Sequence, residues 1–385
     1  MKFSRLTLVL ALAGLPFSVH ATNGMLMEGY GPIATALGGA AMAHDNGNAA
    51  MANNPAALGL MAEGARLDVA LGFIGPDVKS DVHGKSKADA FYMPAFGYVK
   101  KTGKLAWGVG VYAQGGMGTE FPDDAGNMSQ VGVGRVIFPV AYDVNDKLVV
   151  GGSLDLVWAG MDVQFNNFGI DFQDGSDYTG KAKGYGAAAK LGFVYRLNER
   201  LNLGGVWQSA GNLTDLEDGG WKVKGFDMPA LVALGLAWQA SDRLMLAADL
   251  KNVFWSDSMN TVTFYYPGGG SAPFQQDWDD QRVLSLGVAW KASDALTLRA
   301  GYNHADNPIP DRNMSHLWPA IVERHYTAGF GYAFGKTSEL DFSLTYAPTV
   351  KVTNPDMYGP FDGSNSPVTI KHGQLNWQIM YSRKF

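Results

Sequence analysis

The sequence predicts an all-β fold: a transmembrane antiparallel β-barrel of about 14 strands with an N-terminal plug, or hatch, inside the lumen. Three observations predict it. Segments with period-two hydrophobic alternation recur along the chain. The links between them alternate short and long. No stretch beyond the N-terminus resembles a transmembrane helix, since apolar runs such as Ala230 to Trp238 are brief and broken by glycine. A backbone in lipid must satisfy its own hydrogen bonds, so without spanning helices the solution is a closed barrel.

The first residues have the order of an export signal. Lys2 and Arg5 form a basic region, Leu6 to Phe17 an apolar one, and Val19-His20-Ala21 a small-residue cleavage site. The apolar part is shorter than the roughly 20 residues a spanning helix needs. The expected organisation is a cleaved signal over 1–21, a hatch over 22–64 and a barrel over 65–385. The formal charge of −6 becomes −8 without Lys2 and Arg5, and no basic run suggests a nucleic acid partner. With no cysteine, neither a disulfide nor a cysteine metal site can form.

The last segment shows the alternation plainly. Leu375, Trp377, Ile379, Tyr381 and Phe385 share one face, and Gln374, Asn376, Gln378, Ser382 and Lys384 the other. Leu340, Phe342, Leu344 and Tyr346 repeat the pattern, as do Leu105, Trp107, Val109 and Val111. In an outer-membrane barrel the apolar face meets lipid and the polar face the lumen. Fourteen such segments fall near 65–75, 88–100, 104–115, 131–143, 147–162, 182–196, 201–209, 228–240, 243–256, 281–292, 295–304, 322–334, 339–350 and 373–385. Tight turns at 101–103, 145–146, 198–200, 241–242, 293–294 and 335–338 alternate with long links at 163–181, 210–227, 257–280 and 305–321. This sorting places all short turns at the periplasmic end and all long loops outside.

Residues 22–64 are rich in Ala, Gly, Met and Asn and carry little charge, unlike a solvated tail. A barrel of this width needs either a filling or an open channel, and small residues suit close packing inside it. Facing the lumen in the expected register are Tyr112, Ile137, Val149, Val157, Val194 and Val206. Apolar side chains there would line a ligand pocket or pack on the plug, and neither role suits a wet porin. The outer links carry Phe165, Phe168, Phe172 and Tyr178, then Trp221 and Phe226, expected as an exposed aromatic capture surface, or else as rings that cover one another or belong to the girdle. Seven histidines show no paired spacing for a metal, and His44-Asp45 has no nucleophile tied to it. No metal, cofactor or catalytic residue is expected.

Several blocks together resemble the FadL family of outer-membrane transporters for long-chain fatty acids, with a TodX branch for aromatic hydrocarbons. Ala36-Leu37-Gly38-Gly39-Ala40, Asp45-Asn46-Gly47-Asn48 and Asn54-Pro55-Ala56 look like its hatch. Trp107 to Tyr112 followed by Gly115-Gly116-Met117-Gly118 is similar to its third strand and kink. Asn252 to Ser256, Asp277 to Asp280 and Leu298 to Tyr302 resemble further landmarks, so the likeness spans nearly the whole mature chain. The resemblance implies a barrel closed by a hatch, with Asp45, Asn48, Asn54, Pro55 and Ala56 as hatch residues. Ligand would be captured among outer loops and leave sideways where the third strand kinks, without chemistry or an energy source. Gly115, Gly116 and Gly118 would then form the kink, because glycine permits bulges; otherwise they only open a loop.

Each methylene moved from water to an apolar site gains ~0.8 kcal/mol, so a sideways exit into lipid spares an alkyl chain rehydration. No charged contact to a ligand carboxylate carries over by position, which puts a fatty acid in doubt relative to an uncharged hydrocarbon. The expected partners are a hydrophobic small molecule, outer-membrane lipid and the insertion machinery, whose C-terminal signal Phe385 resembles. A monomer in the outer membrane is expected. A general porin would need opposed charges at a constriction, and a lipid-modifying enzyme would need Ser and His converging on the wall. The sequence displays neither pattern.

Overall fold

The computed structural model describes residues 23–174, 180–357 and 366–385. The export signal expected over 1–21, and Tyr178, lie outside the described residues. Among the described residues no helix is long and apolar enough to cross a membrane.

Fourteen strands build the barrel: β1 (Gly64–Ile74), β2 (Phe91–Thr102), β3 (Leu105–Phe121), β4 (Asn127–Asp143), β5 (Leu148–Phe165), β6 (Ala182–Asn198), β7 (Leu201–Gln208), β8 (Leu231–Ser241), β9 (Leu244–Val253), β10 (Gln281–Lys291), β11 (Leu296–Ala305), β12 (Arg324–Phe334), β13 (Ser338–Asn354) and β14 (Val368–Lys384). Each pairs antiparallel with its sequence neighbours. Pairing of β1 with β14, from Arg66↔Lys384 to Phe73↔Trp377, closes the cylinder and leaves no free edge there. The backbone of Phe385 completes the seam, donating to Ala65 O and accepting from Ala65 N.

The alternation read from the sequence sorts the two faces. Leu375, Ile379 and Tyr381 are exposed on the outer wall, while Asn376, Gln378 and Ser382 are buried inside. Long links expected as plain loops instead carry short strands. Ile170–Phe172 folds back on β5, and Leu216–Asp218 pairs with Trp221–Lys224, which pairs in turn with Thr261–Tyr265. Loops of this length would otherwise leave many backbone N–H and C=O groups unpaired over the mouth of the barrel.

The N-terminal segment contains two short helices, α1 (Pro32–Ala36) and α2 (Ala50–Asn53), and a 3-10 turn at Pro55–Leu60. Nearly all of it is buried. It reaches strands on every side: Asn48 binds Gly97 on β2, Asn54 binds Phe193 on β6, Ala41 binds Asp249 on β9, and Thr35 binds Gln378 on β14. A segment touching strands all round a closed cylinder must lie within it. Inward glycines permit the approach. A Cβ on Gly204 would lie 2.0 Å from the Met42 carbonyl oxygen, and one on Gly301 2.1 Å from the Gly38 nitrogen.

Candidate functional site

The segment inside the lumen is held by polar contacts that its sequence blocks supply. Asp45 accepts two hydrogen bonds from the Arg66 guanidinium, each 3.1 Å. Asn48 donates its amide to Arg66 O at 2.8 Å and Gly97 O at 2.9 Å, and its backbone N–H to Asp68 at 2.7 Å. Asn54 is extended, as a residue before proline must be, and its Oδ1 accepts from Ala56 N to start the 3-10 turn on Pro55. Its amide reaches Met42 O at 2.7 Å and Phe193 O at 3.1 Å. Ala56 packs where Gly151 leaves no Cβ. Among the described residues His44 bonds to nearby backbone oxygens, Ala40 O and Asp45 O, a structural role.

A window lies in the wall beside β3. The β2–β3 ladder runs from Thr102↔Leu105 to Phe96↔Val111 and ends there. Above it, Phe91 to Ala95 pair only with β1, and Tyr112 to Phe121 only with β4 among the barrel strands. At the top, the bonds from Lys87 N to Glu120 O and from Glu120 N to Ser86 Oγ close the gap. Between Ala113 and Gly115 the β3–β4 register shifts, a bulge at Gln114. The N-terminal segment covers the freed inner edge. Leu26 bridges to Gly115, Gly116 N donates to Met25 O at 3.2 Å, and Tyr30 Oη donates to Gln114 O at 2.8 Å.

A cavity of about 310 Å³ occupies the window. Its lining takes residues from both faces of the wall: Tyr92 and Trp158 are exposed outside, whereas His372 is buried inside. Gly115, Gly116 and Gly118 all border it. A Cβ on Gly115 would lie 1.9 Å from Met25 O, one on Gly116 2.5 Å from Val131 O, and one on Gly118 2.9 Å from the Phe91 ring. The glycines therefore make room for the segment, for β4 and for Phe91. Neither lysine nor arginine lines the cavity among the described residues.

Above the segment lies an apolar cluster. It includes Met25, Leu26, Phe165, Phe172, Phe226, Trp255 and Trp318. Phe168 and Trp221 pack against it, partly buried. The exposed capture surface expected of these aromatics is thus not found: Phe165, Phe172 and Phe226 are at most 5% exposed. The rings cover one another, with Phe165 against Phe168 at 4.5 Å and Phe172 against Trp221 at 5.4 Å. Burial also pushes the Asp227 carboxyl in this outer region above its ordinary range, opposed by hydrogen bonds from backbone N–H groups.

All six lumen residues expected from the register are buried. The structure divides them. Tyr112, Ile137, Val149 and Val194 pack on Met51, Ala56 and Leu58 of the N-terminal segment, and Val206 on Ala34, Ala41 and Met42. Val157 joins the outer apolar cluster. Sequence reasoning missed Met25 and Leu26, which touch the window, and Phe91, which flanks it. Their signal is faint, because an isolated bridge has no periodicity. It also missed that two landmark blocks meet: Trp255 and Trp278 stack edge-to-face at 4.9 Å, with Gly24 against the Trp255 ring.

With this geometry in hand, comparison with known proteins is specific. The family model for outer membrane protein transport protein (OMPP1/FadL/TodX) matches residues 25–358. The crystal structure of the Pseudomonas putida toluene transporter TodX is 27% identical with a TM-score of 0.80, covering 93% of this chain and 99% of its own. The Ralstonia pickettii toluene transporter TbuX is 25% identical with a TM-score of 0.75, over 93% and 99% of the two chains. A Pseudomonas aeruginosa FadL homologue, 15% identical over 94% and 100%, shares the fold at a TM-score of 0.75. A Chlorobium limicola protein, an uncharacterized protein in the phosphoenolpyruvate carboxykinase gene 5′ region, is 41% identical over 95 residues. That match takes in 24% of this chain and spans 45% of the relative's length.

Proposed function

This chain belongs to the outer membrane protein transport family OMPP1/FadL/TodX and is a multi-pass outer-membrane β-barrel of a family of hydrophobic-compound transporters; on that premise we propose that it takes up uncharged hydrophobic molecules passively and releases them sideways through the window beside β3. The observation that carries this reading is the interrupted β2–β3 ladder with an apolar-walled cavity in the gap. The N-terminal segment, expected over 22–64, acts as the hatch. It bars the axial route, so a solute entering from outside has the wall as its outlet. Moving apolar surface from cavity to lipid without crossing water avoids a cost of ~0.8 kcal/mol per methylene.

The substrate class follows from the lining. A carboxylate taken out of water wants a cation, and the cavity offers neither lysine nor arginine among the described residues. An engineered cavity of about 150 Å³ holds benzene, so 310 Å³ accommodates a monoaromatic ring. Toluene, the compound in the names of TodX and TbuX, is therefore a better starting substrate than a fatty acid. Tyr112, Ile137, Val149, Val194 and Val206 serve as support for the hatch, while Val157 and the outer aromatics form the apolar cluster above it. The test is an uptake panel in a deletion strain comparing monoaromatics, alkanes and long-chain fatty acids. Complementation should restore monoaromatic uptake; restoration of fatty acid uptake alone would reverse the substrate assignment.

A further inference from the structure

We propose that His83, Asp124 and His316 form a binding site for one divalent first-row transition cation of the zinc type, which clips three outer loops together beside the window. His83 lies in the hairpin turn between the short strands Pro76–Ser80 and Gly84–Lys85, Asp124 in the β3–β4 turn, and His316 in the β11–β12 link. One ligand atom from each lies within 4.8 Å of the others. His83 Nδ1 is 2.9 Å and His316 Nε2 3.5 Å from the same carboxylate oxygen, Asp124 Oδ2.

Two imidazole nitrogens converge on one carboxylate oxygen, an arrangement that can also take a cation. His316 is fully buried, and its Nε2 has no hydrogen-bond partner although it faces that oxygen. Its other nitrogen, Nδ1, lies 3.4 Å from the thioether of Met357, so the tautomer that donates there leaves Nε2 unprotonated. Nε2 then presents a lone pair toward an oxygen that also carries lone pairs. An ion between them turns that repulsion into coordination. Two imidazoles and a carboxylate suit zinc, whose ligands stand about 2.0–2.2 Å from the ion, and leave a fourth position for water. Small side-chain adjustments bring the three atoms to that distance.

The surroundings hold the ligands in place. The two imidazoles stack at 4.0 Å, and the rings of Phe121 and Phe165 meet His316 edge-on at 5.3 and 5.9 Å. Asn127 donates to the Asp124 carboxylate at 2.8 Å and orients it, as outer-shell partners of metal ligands do. The consequence reaches the window through the main chain. Thr119 of β3 donates to His316 O and Leu317 O, Ser129 of β4 donates to Leu317 O, and Pro319 and Ala320 line the cavity. Ion binding would tie that strap to the β3–β4 turn and to the first hairpin.

The test uses the full chain, free of any histidine tag and stripped with EDTA, in detergent. Titration with Zn²⁺ should show one equivalent bound at micromolar concentration or tighter. Co²⁺ should give visible absorption bands that Zn²⁺ abolishes. His316→Ala, and separately His83→Gln, should remove binding by at least about tenfold in affinity, while His304→Ala should leave it unchanged. Zn²⁺ should also slow proteolysis of the outer loops in the parent protein, as a ligand that binds only the folded state does. No binding of either ion by the parent protein at about 100 μM free ion, roughly 100 times a micromolar Kd, would overturn the proposal. So would equal binding by the double variant of His83 and His316 with the barrel intact.

Discussion

Replacing Gly115 and Gly116 together by valine should slow uptake through the proposed window while leaving the barrel inserted. At 115 the added Cβ would stand 1.9 Å from Met25 O and 3.3 Å from Leu26 Cα; at 116 it would stand 2.5 Å from Val131 O. These are backbone neighbours, so no side-chain rotation relieves them. Relief at 115 displaces Met25 and Leu26, both buried. That gives up one hydrogen bond, about 1 kcal/mol, and two apolar side chains at about 1.5–3 kcal/mol each. The alternative is to keep the segment and crowd the window, at about 1–3 kcal/mol per overpacked site. If the same crowding opposes a molecule passing through, the barrier rises by that amount, and the rate falls roughly 5- to 150-fold. The assay is the initial rate of labelled toluene uptake in a deletion strain, normalised to heat-modifiable protein in the outer membrane. Uptake within about twofold of the parent, a barrier change under roughly 0.5 kcal/mol, would refute the window as the exit if insertion is normal.

Other perturbations test the supports. Asn54→Ala with Pro55→Ala removes the bonds that Asn54 donates to Met42 O and Phe193 O and the one it accepts from Ala56 N, about 1 kcal/mol each; hydrophobic uptake should change, with little gain in small-sugar permeability, and normal uptake of every hydrophobic compound tried would exclude a hatch role. Inside the wall Asp155 accepts from Arg135, Lys190 and Ser153, so Asp155→Ala strands two buried cations. A loss of about 3–5 kcal/mol follows, read as a lower midpoint of thermal unfolding in detergent; an unchanged midpoint would mean that the cluster is solvated. Deleting Phe385 removes the backbone pair with Ala65 and an exposed aromatic ring. Membrane-inserted protein should fall before transport per inserted molecule does, and full insertion would count against the terminal residue as an assembly signal.

Much of this protein was legible because barrel signals are local. Leu375 to Phe385 announce their two faces by alternation alone, and Asn145-Asp146 or Ser293-Asp294 mark tight turns within a few residues. Those signals set the strand number, the sorting of loops and the inward register of Ile137, Val149 and Val194, since a strand cannot turn one face inward without turning the other out. Composition and the lack of alternation marked a distinct N-terminal segment, and the blocks around Asp45, Asn48 and Asn54 carried its resemblance to a hatch.

What each inward side chain touches was beyond local pattern. The same register admits a ligand wall or a packing face, and only the path of the N-terminal segment decided that Tyr112, Ile137 and Val206 pack against it while Val157 does not. The loop aromatics look like an exposed surface in one dimension; strand pairing between links folded them over one another. The gap above Phe96↔Val111 depends on which strand fails to pair, a property of two strands and the segment behind them. Likewise His83, Asp124 and His316 carry no spacing that links them in sequence. Closure of the barrel puts three loops at one rim, and that closure makes distant residues neighbours.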